Sequence, residues 1–272
     1  MIGNVRHIIV IESLEKRDGI IFTGESLYND VIKRRIELYK KDFKHKLHQV
    51  NTKVQFVELL TFYQVNSGYM SGGIVFHLEI HGDKDFKGLI LSNGELIEWK
   101  EIVDLVRPIN ITACNKLFIT MGVCNGRFLY KGVDPYKRSP YSGYISASTT
   151  VDSEEIYVNF SKLYEALIEN GNIVHAYLEM EKMKTNFYYK DSERTFDEAF
   201  NTSLDELTKN IEFKNSILKD ALKETKRETG AELSEIESEM IFKKVMVDLY
   251  DEQKKAFALL IVNNSNYINS VT

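Results

Sequence analysis

Ile74-Val75-Phe76-His77-Leu78-Glu79-Ile80-His81-Gly82 is the stretch on which the reading of this chain turns. From Ile74 to Ile80 it is rich in β-branched, aromatic and aliphatic residues, the pattern of a buried strand. The run then ends in a histidine and a glycine. In an open parallel sheet, functional groups collect at the carboxyl ends of strands. His81-Gly82 is therefore a place to expect chemistry.

Working outward, His7–Ile11 reads as another buried strand, followed by a polar loop over Glu12–Tyr28. Ile32, Ile36, Tyr39, Phe43 and Leu47 fall on one helical face. Val54–Leu60 and Gly88–Leu91 read as strands. Trp99, Ile102, Val103 and Val106 repeat at helical spacing, and Pro108 is expected to stop that helix. Leu117–Met121 is a further strand running toward Cys124-Asn125-Gly126, and Gly143–Ala147 is another. Ile156, Phe160, Leu163, Tyr164, Leu167 and Ile168 make a helix face. Strands alternating with helices predict a three-layer α/β/α sandwich around a mostly parallel sheet. Residues 195–260 are rich in Glu, Lys, Leu and Ile with almost no strand signal, so two or three helices are expected there. The expected division is a domain over residues 1–188 and a helical C-terminal extension over 189–272.

Composition narrows the function classes. The chain has 272 residues, 43% hydrophobic and 28% charged, with a net charge of -5 that leaves no basic footprint for nucleic acid. Two cysteines do not make a disulfide framework, which favours a reducing compartment. The apolar run at Ile8–Ile11 is too short for a signal-peptide core, and nothing approaches the length of a membrane helix. The expectation is a cytoplasmic protein that contacts neither membrane nor nucleic acid directly and needs no cofactor.

Cys124 and His81 both follow buried strands. A thiol needs a nearby base to become a nucleophile near neutral pH, and a histidine at the end of an adjacent strand can supply one. Gly82 lets backbone approach a substrate closely, and its N–H with that of Cys124 could hold an oxyanion. Against this stands the bland reading, in which His-Gly is a common pair and a lone cysteine is a buried small hydrophobe. A metallohydrolase is the rival enzyme reading: His77, Glu79 and His81 alternate along one strand and point to one face, with Asp83 next. The plainer reading of His77 is a hydrogen-bonded core histidine. Asp152 has Glu155 three residues on, a capping-box pattern before the Ile156 helix. Cys114 lies in a polar turn and is given no role.

The block Val75–Gly82, the hairpin-like Gly88–Gly94, the strand running from Leu117 to Gly126, the Tyr144–Ser148 strand with Asp152, and the helices carrying Phe160, Leu163, Tyr164, Leu167, Gly171 and Ala176 together resemble the caspase-like clan, and in particular its CHAT-type branch. About 100 residues carry the likeness in detail. Forty-three residues separate His81 from Cys124, against roughly 50 in caspases, and Gly122-Val123 stand where caspases have Gln-Ala. The resemblance implies a cysteine endopeptidase with a His81–Cys124 dyad, an oxyanion held by the N–H groups of Gly82 and Cys124, and no metal. It implies a protein or peptide substrate, activation by a regulatory protein or small signal, and a place in bacterial antiviral defence. It also puts Ser148, Asp152 and the Glu12–Asp30 loop, Glu25 included, beside the substrate groove. The acids Glu12, Glu15, Asp18, Glu25 and Asp30 favour a basic residue before the scissile bond, while Arg6, Arg17, Lys33, Arg34 and Arg35 oppose it. Pseudoenzymes also occur on this fold, so a non-catalytic binding module is the remaining alternative.

Overall fold

The structure, a computed structural model, describes residues 3–15, 23–230 and 234–258. In chain order the elements are β1 (His7–Ser13), α1 (Thr23–Ser26) continuing through a π-helical segment (Leu27–Lys33) into α2 (Arg34–Leu38), β2 (Lys44–Gln49), α3 (Lys53–Asn66), β3 (Ile74–Gly82), β4 (Gly88–Ile90), β5 (Leu96–Glu98), α4 (Trp99–Thr112) and β6 (Leu117–Met121). A 3₁₀ segment (Gly126–Gly132) follows, then β7 (Gly143–Ala147), α5 (Ser153–Asn170), α6 (Ile173–Glu181), β8 (Phe187–Asp191), α7 (Ser192–Lys209), α8 (Ile211–Thr229) and α9 (Glu235–Phe257).

The main sheet runs β2-β1-β3-β6-β7-β8. The first five strands are parallel, and β8 pairs antiparallel with β7. The α/β sandwich expected from the alternation of elements is what forms. Side chains alternate across the sheet. Ile9, Ile11, Ile74, Phe76, Leu78, Leu117, Ile119 and Met121 pack toward α3 and α4, joined by Phe196 and Phe200 of α7 and Phe257 of α9. Ile8, Val10, Val75, Phe118, Ile145 and Ala147 pack toward α5, α6 and the π-helical segment.

Four local expectations need correction. Val54–Leu60 is helical: Thr52 and Gln55 form a capping box, with Gln55 N–H donating to Thr52 Oγ1 at 3.2 Å, and Phe56, Leu60 and Tyr63 form the buried face. The helix carrying Ile32 and Ile36 ends at Leu38, and Lys40 adopts φ 48°. Phe43 and Leu47 therefore leave that helix, and Leu47 lies in β2, the edge strand parallel to β1. Pro108 does not stop α4, which continues to Thr112. The buried Asn110 holds that last turn by donating to Ser139 O (2.9 Å) and accepting from Leu117 N–H (3.1 Å), while proline removes only one backbone bond. Finally, residues 187–191 are a strand. The boundary drawn after residue 188 falls inside β8, and α7 and α9 contribute Phe196, Phe200 and Phe257 to the same core as β1 and β3. Tyr250 and Lys254 of α9 both donate to Asp197 Oδ1 on α7, at 2.6 and 3.0 Å.

Candidate functional site

The site is built where β1, β3, β6 and β7 end. β3 carries His81 out of the core: residues 74–80 are buried, and His81 is exposed. The β4–β5 hairpin braces it there, since His81 pairs with Ile90 and Gly82 with Leu89. Ser13, the last residue of β1, accepts from Ser92 N–H at 2.9 Å and ties the hairpin to the sheet.

Cys124 follows β6 in the turn Gly122-Val123-Cys124-Asn125. Gly122 N–H extends the parallel ladder by donating to Leu78 O at 3.0 Å. Asn125 then turns the chain in the left-handed region (φ 57°, ψ 25°), a conformation asparagine tolerates well. The segment after β7 supports this turn from the other side. Asn125 N–H donates to Thr149 O at 3.0 Å, and the Cys124 thiol donates to Val151 O at 3.6 Å. Cys124 is half-buried against the α5 side of the sheet.

Gly82 is what lets the two strand ends meet. A Cβ there would overlap the Cys124 carbonyl oxygen and lie 3.2 Å from the carbonyl carbon. The His81-Gly82 backbone is thus packed directly on the Cys124 backbone. His81 and Cys124 thus stand at two neighbouring strand ends whose backbones touch at Gly82.

Below these two strand ends lies a buried polar chain. His77 Nδ1 is 2.8 Å from Thr120 Oγ1, and His77 Nε2 is 2.9 Å from Glu79 Oε1. Thr120 Oγ1 is 2.7 Å from Tyr164 Oη, and Thr23 donates to Glu79 Oε2 at 2.7 Å. One set of donors satisfies every member: Tyr164 donates to Thr120, Thr120 to His77 Nδ1, and His77 Nε2–H to Glu79. The rings of Phe160 and Tyr164 pack edge-on against His77. Both ring nitrogens of His77 are therefore engaged within the protein. Asp83 is also engaged, accepting from Asp85 and Lys87 N–H at 3.2 and 3.1 Å. No group of three or more His, Cys, Asp or Glu among the described residues is placed to hold a metal ion. The His77/Glu79/His81 metal set is not assembled, because the first two are used in the core and the third faces solvent.

The remaining sequence candidates lie around this centre. Ser148 is half-buried just past β7. Asp152 caps α5, accepting from Glu155 N–H at 2.7 Å. Glu25 is half-buried in α1, and its N–H donates to Glu12 Oε1 at 3.0 Å. Arg17 and Asp18 lie outside the described residues. Sequence reasoning treated Glu12 as a loop acid, but it is buried in β1 directly beside Glu79 in the strand register. Burial pushes its carboxyl above the ordinary carboxylate range. The N–H of Glu25 opposes that rise, the neighbouring Glu79 charge adds to it, and Gln49 and the N–H of Gly24 oppose it further. A glutamate inside an apolar strand was the available signal. Thr23, Gly122 and the Val151 carbonyl carried none.

No protein-family model and no curated protein matches this sequence. Among solved structures, the crystal structure of the Drosophila initiator caspase Dronc is similar, with a TM-score of 0.50 and 12% identity over 69% of this chain and 81% of that chain. At that identity the likeness is one of fold, and the fold is caspase-like. No helix among the described residues is long and apolar enough to cross a membrane.

Proposed function

We propose that this chain is a cysteine endopeptidase of the CHAT-type branch, with Cys124 as nucleophile and His81 as general base and acid. The observation that carries the proposal is the direct packing of Gly82 on the Cys124 carbonyl, which sets the two chemically able side chains on adjacent strand ends. His81 removes the thiol proton, and the sulfur attacks the peptide carbonyl. The N–H groups of Gly82 and Cys124 hold the oxyanion. Collapse forms the thioester and breaks the C–N bond, with His81 passing its proton to the departing amine. Water, deprotonated by His81, then releases the acid and restores the thiol.

Glu25, Ser148 and Asp152 border the peptide groove in this reading, and the acids nearby favour Arg or Lys before the scissile bond. The thiol's bond to Val151 O supports a resting state: the sulfur must turn from that carbonyl toward the substrate, and a regulatory protein or small signal drives the turn. Residues 190–272 are the proposed docking surface for that regulator, supported by the exposed Ile236, Met240 and Val247 of α9. A cytoplasmic role in antiviral defence fits an enzyme kept inactive until signalled.

The test is a fluorogenic peptide panel with and without infected-cell extract as activator, run on the protein and on Cys124→Ala. Hydrolysis after Arg or Lys that disappears in Cys124→Ala is the expected result. Full hydrolysis by Cys124→Ala overturns the cysteine mechanism, and preferred cleavage after Asp or apolar residues overturns the specificity.

A further inference from the structure

Glu79 reaches the nucleophile turn as well as the core. Its carboxylate lies against the backbone of Gly122, two residues before Cys124. A Cβ at position 122 would overlap it, 2.6 Å from Cδ and 2.7 Å from Oε2. Contacts this short essentially never occur at a real Cβ, so a side chain at 122 would require either the Glu79 carboxylate, held by Thr23 and His77, or the turn itself to shift. No left-handed φ is involved at Gly122, so the constraint is space and not backbone conformation. On its other side Glu79 meets the start of α1. Thr23 donates to Oε2 at 2.7 Å, and a Cβ at Gly24 would lie 2.9 Å from Glu79 Cγ. The carboxylate is therefore held between the first turn of α1 and the Gly122 backbone, and is fixed from behind by His77.

We propose that Glu79 is the positioning residue of the nucleophile turn: its carboxylate, clamped between Thr23-Gly24 and Gly122, sets where the Gly122-Val123-Cys124 backbone lies and couples it to α1. Glu79 acts through Gly122 and touches no reacting atom. This rests on Cys124 being the functional thiol, which the preceding reading supplies, but its consequence is read on thiol geometry and not on peptide cleavage. The coupling is steric, so it predicts that one misfit can be cancelled by another. Adding a methyl at 122 should push the turn away from its seat, and shortening Glu79 by one methylene should make room for that methyl while keeping the buried charge.

The experiment measures the iodoacetamide alkylation rate of Cys124 in the full chain, with the exposed Cys114 as internal standard, across pH 6–9. The variants are Gly122→Ala, Glu79→Asp and the double substitution. Gly122→Ala is expected to change the Cys124 rate by about tenfold or more, since displacements on the ångström scale shift rates at organised sites by up to about 10²-fold. The double variant should return to within about threefold of the unmodified protein and recover its pH profile, the non-additivity expected of residues in contact. If Gly122→Ala alone does not fold, recovery of a folded chain with a near-normal Cys124 rate in the double variant supports the clamp equally. An unchanged Cys124 rate in Gly122→Ala, or a double variant no better than the single, overturns it. Peptidase assays on the same proteins separate the two ideas: a rescue of thiol reactivity with no hydrolysis in any variant keeps the clamp and removes the peptidase.

Discussion

The two faces of the central sheet are built differently, although the same strands make both. Toward α3 and α4 the strands present Ile9, Ile11, Phe76, Leu78, Ile119 and Met121, all apolar, against apolar helix faces. Toward α5 the same strands present Ile8, Val10, Val75 and Phe118 and, nearer their carboxyl ends, the buried Glu12, His77, Glu79 and Thr120, of which the last three are linked by hydrogen bonds with Tyr164 and Thr23 while Glu12 accepts from Glu25 N–H and Gln49. Burying polar groups costs stability unless each finds a partner, and hydrophobic contacts return far more per residue. The comparison therefore assigns roles. The α3/α4 face only holds the fold together, whereas the α5 face adds to its apolar core a polar cluster that positions the strand ends carrying His81 and Cys124.

The largest effect that could break this division is at His81. It is exposed and contributes little packing. His81→Ala should leave the unfolding free energy within about 0.5 kcal/mol, as for surface substitutions, while lowering kcat/KM by roughly 10²–10⁴-fold through loss of proton transfer. Peptide hydrolysis and urea denaturation on the same preparation decide it. Activity retained in His81→Ala would remove His81 from the chemistry.

The opposite face should behave in the opposite way. Phe257 is buried among Phe196 and its neighbours although it closes the last described helix. Phe257→Ala should cost about 3–5 kcal/mol, the usual range for deleting a buried phenyl ring. Under conditions where the variant stays folded, Cys124 alkylation should change by less than about twofold, because the ring lies across the sheet from the thiol. A loss below about 1 kcal/mol would mean that the helices after β8 stand as a unit of their own, and the α3/α4 face would lose part of its role.

The same contrast explains what could be read in advance. Strands such as Ile74–Ile80 and Leu117–Met121 were legible because burial on both faces makes them mostly apolar, with only His77, Glu79 and Thr120 interrupting the run. Edge strands were not: β2 contains Lys44, His45, Lys46 and His48, and β8 contains Tyr188, Tyr189 and Lys190, as a strand with one solvated side should. At α3, Val54, Phe56 and Leu60 mimic a period of two, and Thr52, the N-cap that pairs with Gln55 and decides for helix, lies just before that window. His81 and Cys124 were legible as residues just past buried strands. The clamp at Gly122 was not, because it depends on the parallel register that sets Leu78 against Met121 and on which side chain fills the space beside a glycine.

The smallest effect sharpens the comparison by asking what the polar face costs. Glu12 and Glu79 sit side by side on β1 and β3, both buried. Burial raises the Glu12 carboxyl above its ordinary value of 4.5, and the charge on Glu79 adds to the rise. Below that ordinary value Glu12 is protonated in both folded and unfolded chains, and no penalty exists. As pH rises, the unfolded chain gives up the proton first, so the folded state is the one that holds it, and stability falls until the folded group also ionises. Glu12→Gln keeps an oxygen for the N–H groups of Gly24 and Glu25 and cannot ionise. Its stability relative to the unmodified protein should therefore increase with pH, reaching a gain on the order of 1 kcal/mol at pH 7.5 and little or none at pH 4. Urea midpoints for both proteins at the two pH values measure it directly. An equal difference at both pH values would show that Glu12 does not titrate abnormally. The polar face would then be no costlier than the apolar one, and its buried carboxylates would need another reason for being there.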